Sequence, residues 1–243
     1  MVIFLGENMG KRIALIIALI CFLGSGFYIG HKLYTDWKTE KEFKEIRDNT
    51  TMKTGGIDLK KLHRKNKHCV GWIRIKGTKI NYPVMQTSKN NSDYYLRRGF
   101  NKKHSESGTP FLSSWSKLGK SKNYLIFGHN MKTGAMFHAL PKYEKKKFYN
   151  KHKYIEFEDI KTGKHKYKVS TVLKTETYSF DYPKYAYIEG NIPYYEYIKK
   201  CRSIAIRNSK KPQFPNQLLT LSTCSYHVND RKGRFVVVAE LCE

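Results

Sequence analysis

Acidic residues are scarce in this 243-residue chain: 20 Asp and Glu stand against 46 Lys and Arg, a formal net charge of +26. No nucleic-acid-binding motif accompanies the excess, which argues against a nucleic-acid partner; anionic lipid headgroups, cell-wall polyanions or a plain solvated surface are the better readings. Cysteine is sparse and scattered, at Cys21, Cys69, Cys201, Cys224 and Cys242. An odd number without paired spacing argues against a disulfide framework and shows no metal-ligand pairs, so no metal is expected; thiol chemistry needs no cofactor either. Internal repeats and low-complexity tracts are absent. So is the alternation of strand and helix that a parallel α/β sheet requires.

One long apolar run is present. Residues 13–30 carry no charge and follow Lys11-Arg12. As a helix they would extend roughly 27 Å at ~1.5 Å per residue, close to the hydrocarbon thickness of a bilayer. Gly24-Ser25-Gly26 would tempt a signal peptidase, but there is no Ala-x-Ala site and the run is longer than a signal core, which favours an uncleaved signal anchor. Met9 offers an alternative start, with a tidier basic leader. Charge counting opposes export, because Lys32, Lys38, Lys41, Lys44 and Arg47 follow the run. Long downstream domains translocate largely regardless of such charges. The organisation expected is a short cytoplasmic leader (1–12), a transmembrane anchor (13–30), a helical stalk and hinge (31–56), and one domain (57–243). Leu33, Trp37, Phe43 and Ile46 fall near helical spacing among charges, an amphipathic stalk or a packed N-terminal helix; residues 51–56 suit a hinge, and Asp58 suits a helix cap.

Within the domain, short β-rich runs are separated by turn signals. They fall at 71–75 and 80–85 (a hairpin around Lys76-Gly77-Thr78-Lys79), 108–112, 123–127, 154–158 with 167–175, 217–224 and 234–241. Residues 136–140, 142–149 and 194–207 read as helical. An all-β barrel with peripheral helices follows.

The run Thr220-Leu221-Ser222-Thr223-Cys224 ends one strand, and Arg234 opens the next after a polar loop. Such a hairpin brings a thiol beside a guanidinium. A thiol needs an electropositive neighbour to become a thiolate, and acyl transfer needs a donor where the oxyanion forms. Upstream, Asn123-Tyr124-Leu125-Ile126-Phe127-Gly128 leads to His129 at a strand mouth, a candidate acid/base. His227 rivals His129 by proximity in sequence, but lies in the turn. Arg231 rivals Arg234, but lies on a loop rather than in a Val-rich strand. Asp230 is the nearest carboxylate to a third member, and it too sits on the loop.

In these motifs the chain resembles the sortases: Thr-Leu-Ser-Thr-Cys, then Arg ten residues on, with Gly-His-Asn upstream. The resemblance covers residues from about 71 to the C-terminus. It is to class B in particular, because a helical segment precedes the catalytic strand. It implies a closed eight-stranded sortase-type barrel and a cysteine transpeptidase with Cys224 as nucleophile, His129 as acid/base and Arg234 as oxyanion donor. It further implies cleavage of an Asn-Pro-x-Thr-type motif near the C-terminus of exported surface proteins. The acyl group would pass through a thioacyl enzyme to a peptidoglycan precursor amine of the lipid II type, at the outer face of the membrane. The residues implied to bind the sorting peptide are Ser222, Thr177, Tyr182, Leu96 and, with a one-residue insertion, Asn91. Phe127 stands where some class B members have Tyr. A membrane-anchored Cys hydrolase using water and a non-catalytic wall-binding module are the alternatives.

Overall fold

The computed structural model describes residues 3–52, 56–228 and 232–242. It opens with one continuous helix, α1 (Ile3–Thr50). From Met9 to Lys38 the described side chains of α1 are largely exposed, and the apolar run 13–30 is uncovered throughout. Leu33 and Trp37 are exposed as well, whereas Phe43 is fully buried and Ile46 packs against the core. The expected amphipathic stripe is thus half used, because α1 meets the domain only from about Thr39 onward. There Phe43 stands edge-on to Tyr82 at 5.2 Å, Tyr82 donates to Glu40 (2.9 Å), and Arg47 donates to the Asn81 carbonyl (3.2 Å).

Asp58 caps α2 (Leu59–Lys65), its carboxylate accepting from the Lys61 amide at 2.8 Å. β1 (Cys69–Arg74) and β2 (Asn81–Met85) form the expected hairpin. Next come β3 (Phe111–Leu112), β4 (Asn123–Phe127), α3 (Lys146–Lys151), β5 (Tyr154–Asp159) and β6 (Gly163–Glu176). The chain continues with α4 (Asn191–Ser203), β7 (Ala205–Asn208), β8 (Leu218–Cys224) and β9 (Gly233–Leu241). The sheet order β5-β1-β2-β3-β4-β8-β9-β6 closes through β6 onto β5, giving an eight-stranded barrel of all-β character with the helices outside it. β7 is a ninth strand attached to β6. It occupies the end of the segment expected to be helical through residue 207: Ala205 and Arg207 pair with β6, and edge pairing there replaces the last helical turn.

Closure follows from the length of β6, whose first half pairs with β5 and whose second half pairs with β9. The interior is filled by side chains such as Ile73, Tyr124, Phe157, Leu219 and Phe235, while Trp72, on the outward face of β1, packs toward α1. A second apolar cluster lies between the barrel wall and α4, where Tyr197 hydrogen-bonds Thr220 (2.8 Å). Cys69 and Cys201 are buried, and burial pushes each thiol up to about 12, which makes them inert packing groups.

Candidate active site

The parallel pairing of β4 with β8 matters most for the site. It brings the C-terminal ends of both strands to the same mouth of the barrel, with Phe127 opposite Ser222. β9 runs antiparallel to β8, so its first residues reach that mouth too. Cys224 pairs directly with Arg234, and Arg234 pairs on its other side with Thr175 of β6. Directly opposed residues share a face of the sheet with Cβ atoms about 5 Å apart. The thiol and the guanidinium are therefore neighbours by register. Both are half-buried.

Beyond β4 the chain turns closely over Phe137. A Cβ on Gly128 would stand 2.8 Å from that ring, so the position needs glycine. The turn is stitched to the Cys224 strand at three points. The Gly128 amide donates to Ser222 O (3.1 Å), Thr223 Oγ1 donates to Gly128 O (2.7 Å), and Asn130 Nδ2 donates to Cys224 O (3.0 Å). Asn130 is oriented in turn by His138, whose Nδ1 lies 3.0 Å from Asn130 Oδ1.

His129 Nε2 donates to the Leu96 carbonyl at 2.8 Å. In the neutral imidazole this leaves Nδ1 as the nitrogen free to take a proton. Burial holds the His129 pKa below 6.5; the Leu96 bond and Glu106 oppose that shift, while the Arg97 charge adds to it. The Leu96 carbonyl is itself fixed within a 3₁₀ turn (Tyr94–Arg97), where Tyr95 O accepts from the Thr109 amide (3.0 Å). Gly108, at φ +58°, lies so close to the Leu96 and Tyr95 carbonyls that no larger residue fits.

Around these groups lies a cleft of ≈ 280 Å³. Cys224, His129, Arg234, Ser222, Thr177, Tyr182 and Leu96 all line it. Tyr182 shares a hydrogen bond with Ser222 (2.7 Å). Burial raises the Tyr182 pKa, against the Ser222 bond and the nearby Arg234 guanidinium, so the phenol is neutral at physiological pH. Phe111 and Phe127 form an apolar floor with ring centroids 5.5 Å apart. Asn91 is not among the lining residues: it is exposed at the end of a 3₁₀ turn (Lys89–Asn91), and its carbonyl accepts from Thr87 (2.6 Å). Asp93, two positions on, lines the cleft instead, as do Phe180, Asp181 and Pro183. These four, and Asn130 behind Cys224, went unnoticed in the sequence. Only Asn130 had a signal there, as part of Gly-His-Asn.

The rivals separate by position. His227 turns to Ser225 (2.8 Å) and Glu176 (3.3 Å) and does not line the cleft. Arg231 and Asp230 lie outside the described residues.

A thiol, an imidazole and a guanidinium at one barrel mouth, beside a peptide-sized groove, define a thiol-dependent acyl-transfer enzyme. The sortase domain model matches residues 73–242, and the chain belongs to the sortase family. It is 35% identical to sortase B of Staphylococcus aureus over 186 residues (74% of this chain, 72% of the relative), and 31% identical to sortase B of Listeria monocytogenes over 248 residues (96% of each). A Staphylococcus aureus sortase B–substrate complex superposes with a TM-score of 0.73 at 28% identity, covering 86% of this chain and 98% of that one. A sortase B complexed with triglycine gives 0.72 at 28% identity, covering 86% and 99%. The chain is accordingly a cysteine transpeptidase of the cell wall, most like the class B members.

Proposed function

We propose that this transpeptidase is held in the membrane by residues 13–30 with residues 31–56 as its stalk. Its catalytic domain (57–243) faces the wall and cleaves an Asn-Pro-x-Thr-type motif of exported proteins. The acceptor is an amine of a peptidoglycan precursor of the lipid II type. The observation that carries the chemistry is the cross-strand pair Cys224–Arg234 with His129 at the mouth of the adjacent parallel strand. Relatives solved with a substrate and with triglycine support a peptide donor and an amine acceptor. The uncovered apolar length of α1 supports the anchor.

In the first half-reaction the Cys224 thiolate adds to the Thr carbonyl carbon, and the negative charge moves to the carbonyl oxygen. Arg234 donates to that oxygen. Collapse breaks the peptide C–N bond, and His129, through Nδ1, gives its proton to the departing amine. A thioester remains on Cys224. In the second half-reaction the acceptor amine adds to the thioester carbonyl and His129 takes its proton. The C–S bond then breaks, returning the thiolate. The floor of Phe111 and Phe127 and the hydroxyls of Ser222, Thr177 and Tyr182 hold the peptide by apolar contact and hydrogen bonds.

The test is mass spectrometry of the soluble domain with a panel of sorting peptides, with and without an amine. A thioacyl adduct on Cys224 and amine-dependent ligation are expected. Cys224→Ala should abolish both, and His129→Ala and Arg234→Ala should each reduce turnover at least ~100-fold. Hydrolysis unchanged by added amine would replace transpeptidation with a hydrolase, and full wall function in Cys224→Ala would leave only a binding module.

A further inference from the structure

Away from the catalytic cleft, a pocket of ≈ 420 Å³ lies between α1 and the loop 99–106. Lys32 and Lys38 line it from the helix and Lys103 from the loop, with His31 and His104 beside them. Two carboxylates share the lining, and both are engaged. Glu106 is bound by Arg97 (2.5 Å) and lies 3.3 Å from His104, while Glu42 accepts from Asn101 (3.1 Å). Three lysines thus stand against one carboxylate not already held by an arginine. Thr35 and Ser105 add hydroxyls to the same walls. The pocket is held in shape by Thr39 and Ser105, whose hydroxyls lie 3.2 Å apart across the helix–loop seam.

Its depth is set by the apolar run. Tyr28 lines the pocket two residues before that run ends, and His31 and Lys32 follow directly. The polar layer of a bilayer adds roughly 5–8 Å on each side of the hydrocarbon, or about one helical turn beyond residue 30. A tyrosine at the boundary, Lys32 in the next turn, Lys38 six residues further along the helix and a basic loop closing over them suit a phosphate at the membrane surface.

We propose that this pocket binds the phosphate of an anionic phospholipid headgroup in the leaflet at the C-terminal end of the apolar run, seating the barrel at a fixed height on the membrane. The inference rests on the reading of residues 13–30 as an anchor. It gives part of the +26 charge a local task.

Native mass spectrometry of the full chain in detergent, titrated with phosphatidylglycerol or phosphatidylcholine, tests it. The parent should retain phosphatidylglycerol in preference to phosphatidylcholine. K32Q/K38Q/K103Q together should weaken retention at least ~10-fold, while K146Q/K147Q/K151Q on α3 should leave it unchanged. Equal retention of the two lipids, or equal loss in both variants, would overturn the pocket in favour of diffuse attraction. Displacement of the lipid by millimolar glycerol phosphate would overturn the lipid as occupant and leave a soluble-phosphate site. Thermal melting and turnover of a soluble sorting peptide should match the parent in the pocket variant; should the triple change unfold the chain, Lys103→Gln alone, off the helix, carries the comparison. Flotation with purely phosphatidylcholine vesicles tests the anchor separately. A chain that floats but shows no preference for phosphatidylglycerol loses only the pocket, and one that fails to float loses the anchor.

Discussion

The Arg234 guanidinium donates to the carbonyl of its own neighbour, Gly233 (2.9 Å), and stands beside the Tyr182 phenol. Its backbone is held between β8 and β6, opposite Cys224 and Thr175. A guanidinium has several donors in one plane, so it can keep such contacts and still offer a hydrogen bond to an oxyanion. An ammonium is a point charge on a flexible stem. Arg234→Lys should therefore preserve the charge yet lose most turnover, with peptide affinity changed less than the acylation rate. Thermal melting should hardly move, because the head group is only half-buried. Rates of adduct formation on Cys224 check this; near-normal acylation by the Lys variant would show that charge alone suffices.

At the scale of elements, the segment 93–109 acts as a bracket for His129. Its Leu96 carbonyl orients the imidazole, and its Arg97 and Glu106, bound to each other, act on the imidazole's charge in opposite directions. Arg97→Gln removes a cation and should raise the His129 pKa; Glu106→Gln removes an anion and should lower it. The sign carries into catalysis. In the mechanism proposed above, the protonated imidazole is the acid for the leaving amine, and its population falls as pH rises through the His129 pKa. The alkaline limb should shift upward in Arg97→Gln and downward in Glu106→Gln. Histidine NMR titration and pH–rate profiles read both, and unmoved or like-signed shifts would remove the bracket's electrostatic role. This segment also marks where the sequence stopped being informative. The meeting of Cys224, His129 and Arg234 was legible because strand ends and a hairpin fix register, and a two-residue periodicity leaves little freedom. Asp93, Phe180 and Asp181 lie in or beside 3₁₀ turns, where no periodicity says which side chain faces a groove. Asn91, implied by the resemblance only with a one-residue insertion, falls outside the cleft for the same reason, and Asp93 lines it. His227, disfavoured in the sequence by its place in the turn, is held away from the cleft by Glu176, 51 residues away.

Across the whole molecule, the helix that carries the apolar run also completes the barrel's outer packing. Phe43 is buried against Tyr82, and the Tyr82 hydroxyl joins Glu40 of α1 (2.9 Å) to the amide of Met136 (3.2 Å). Met136 is bridged to Asn130, and Asn130 holds the carbonyl of Cys224. The second half of α1 therefore supports the floor beneath the Gly-His-Asn turn. Sequence alone left a stalk and a packed helix both open there, since helical spacing cannot tell a packed face from an idle one; Trp37 and Phe43 fit the stripe equally, and of the two only Phe43 is covered. A chain truncated to begin at residue 31 should keep the parent domain's melting temperature and its turnover of a soluble peptide. One beginning at residue 57 loses the Phe43–Tyr82 contact and leaves the Tyr82 ring open to water. Phe43→Ala in the longer form reports the apolar part alone, a loss on the order of 3–5 kcal/mol for a buried phenylalanine. The chain starting at 57 should melt at least as low as that variant and turn over more slowly, because the support of Met136 is gone. Equal melting of the 31- and 57-start forms would mean that α1 only tethers the domain and plays no part in its fold.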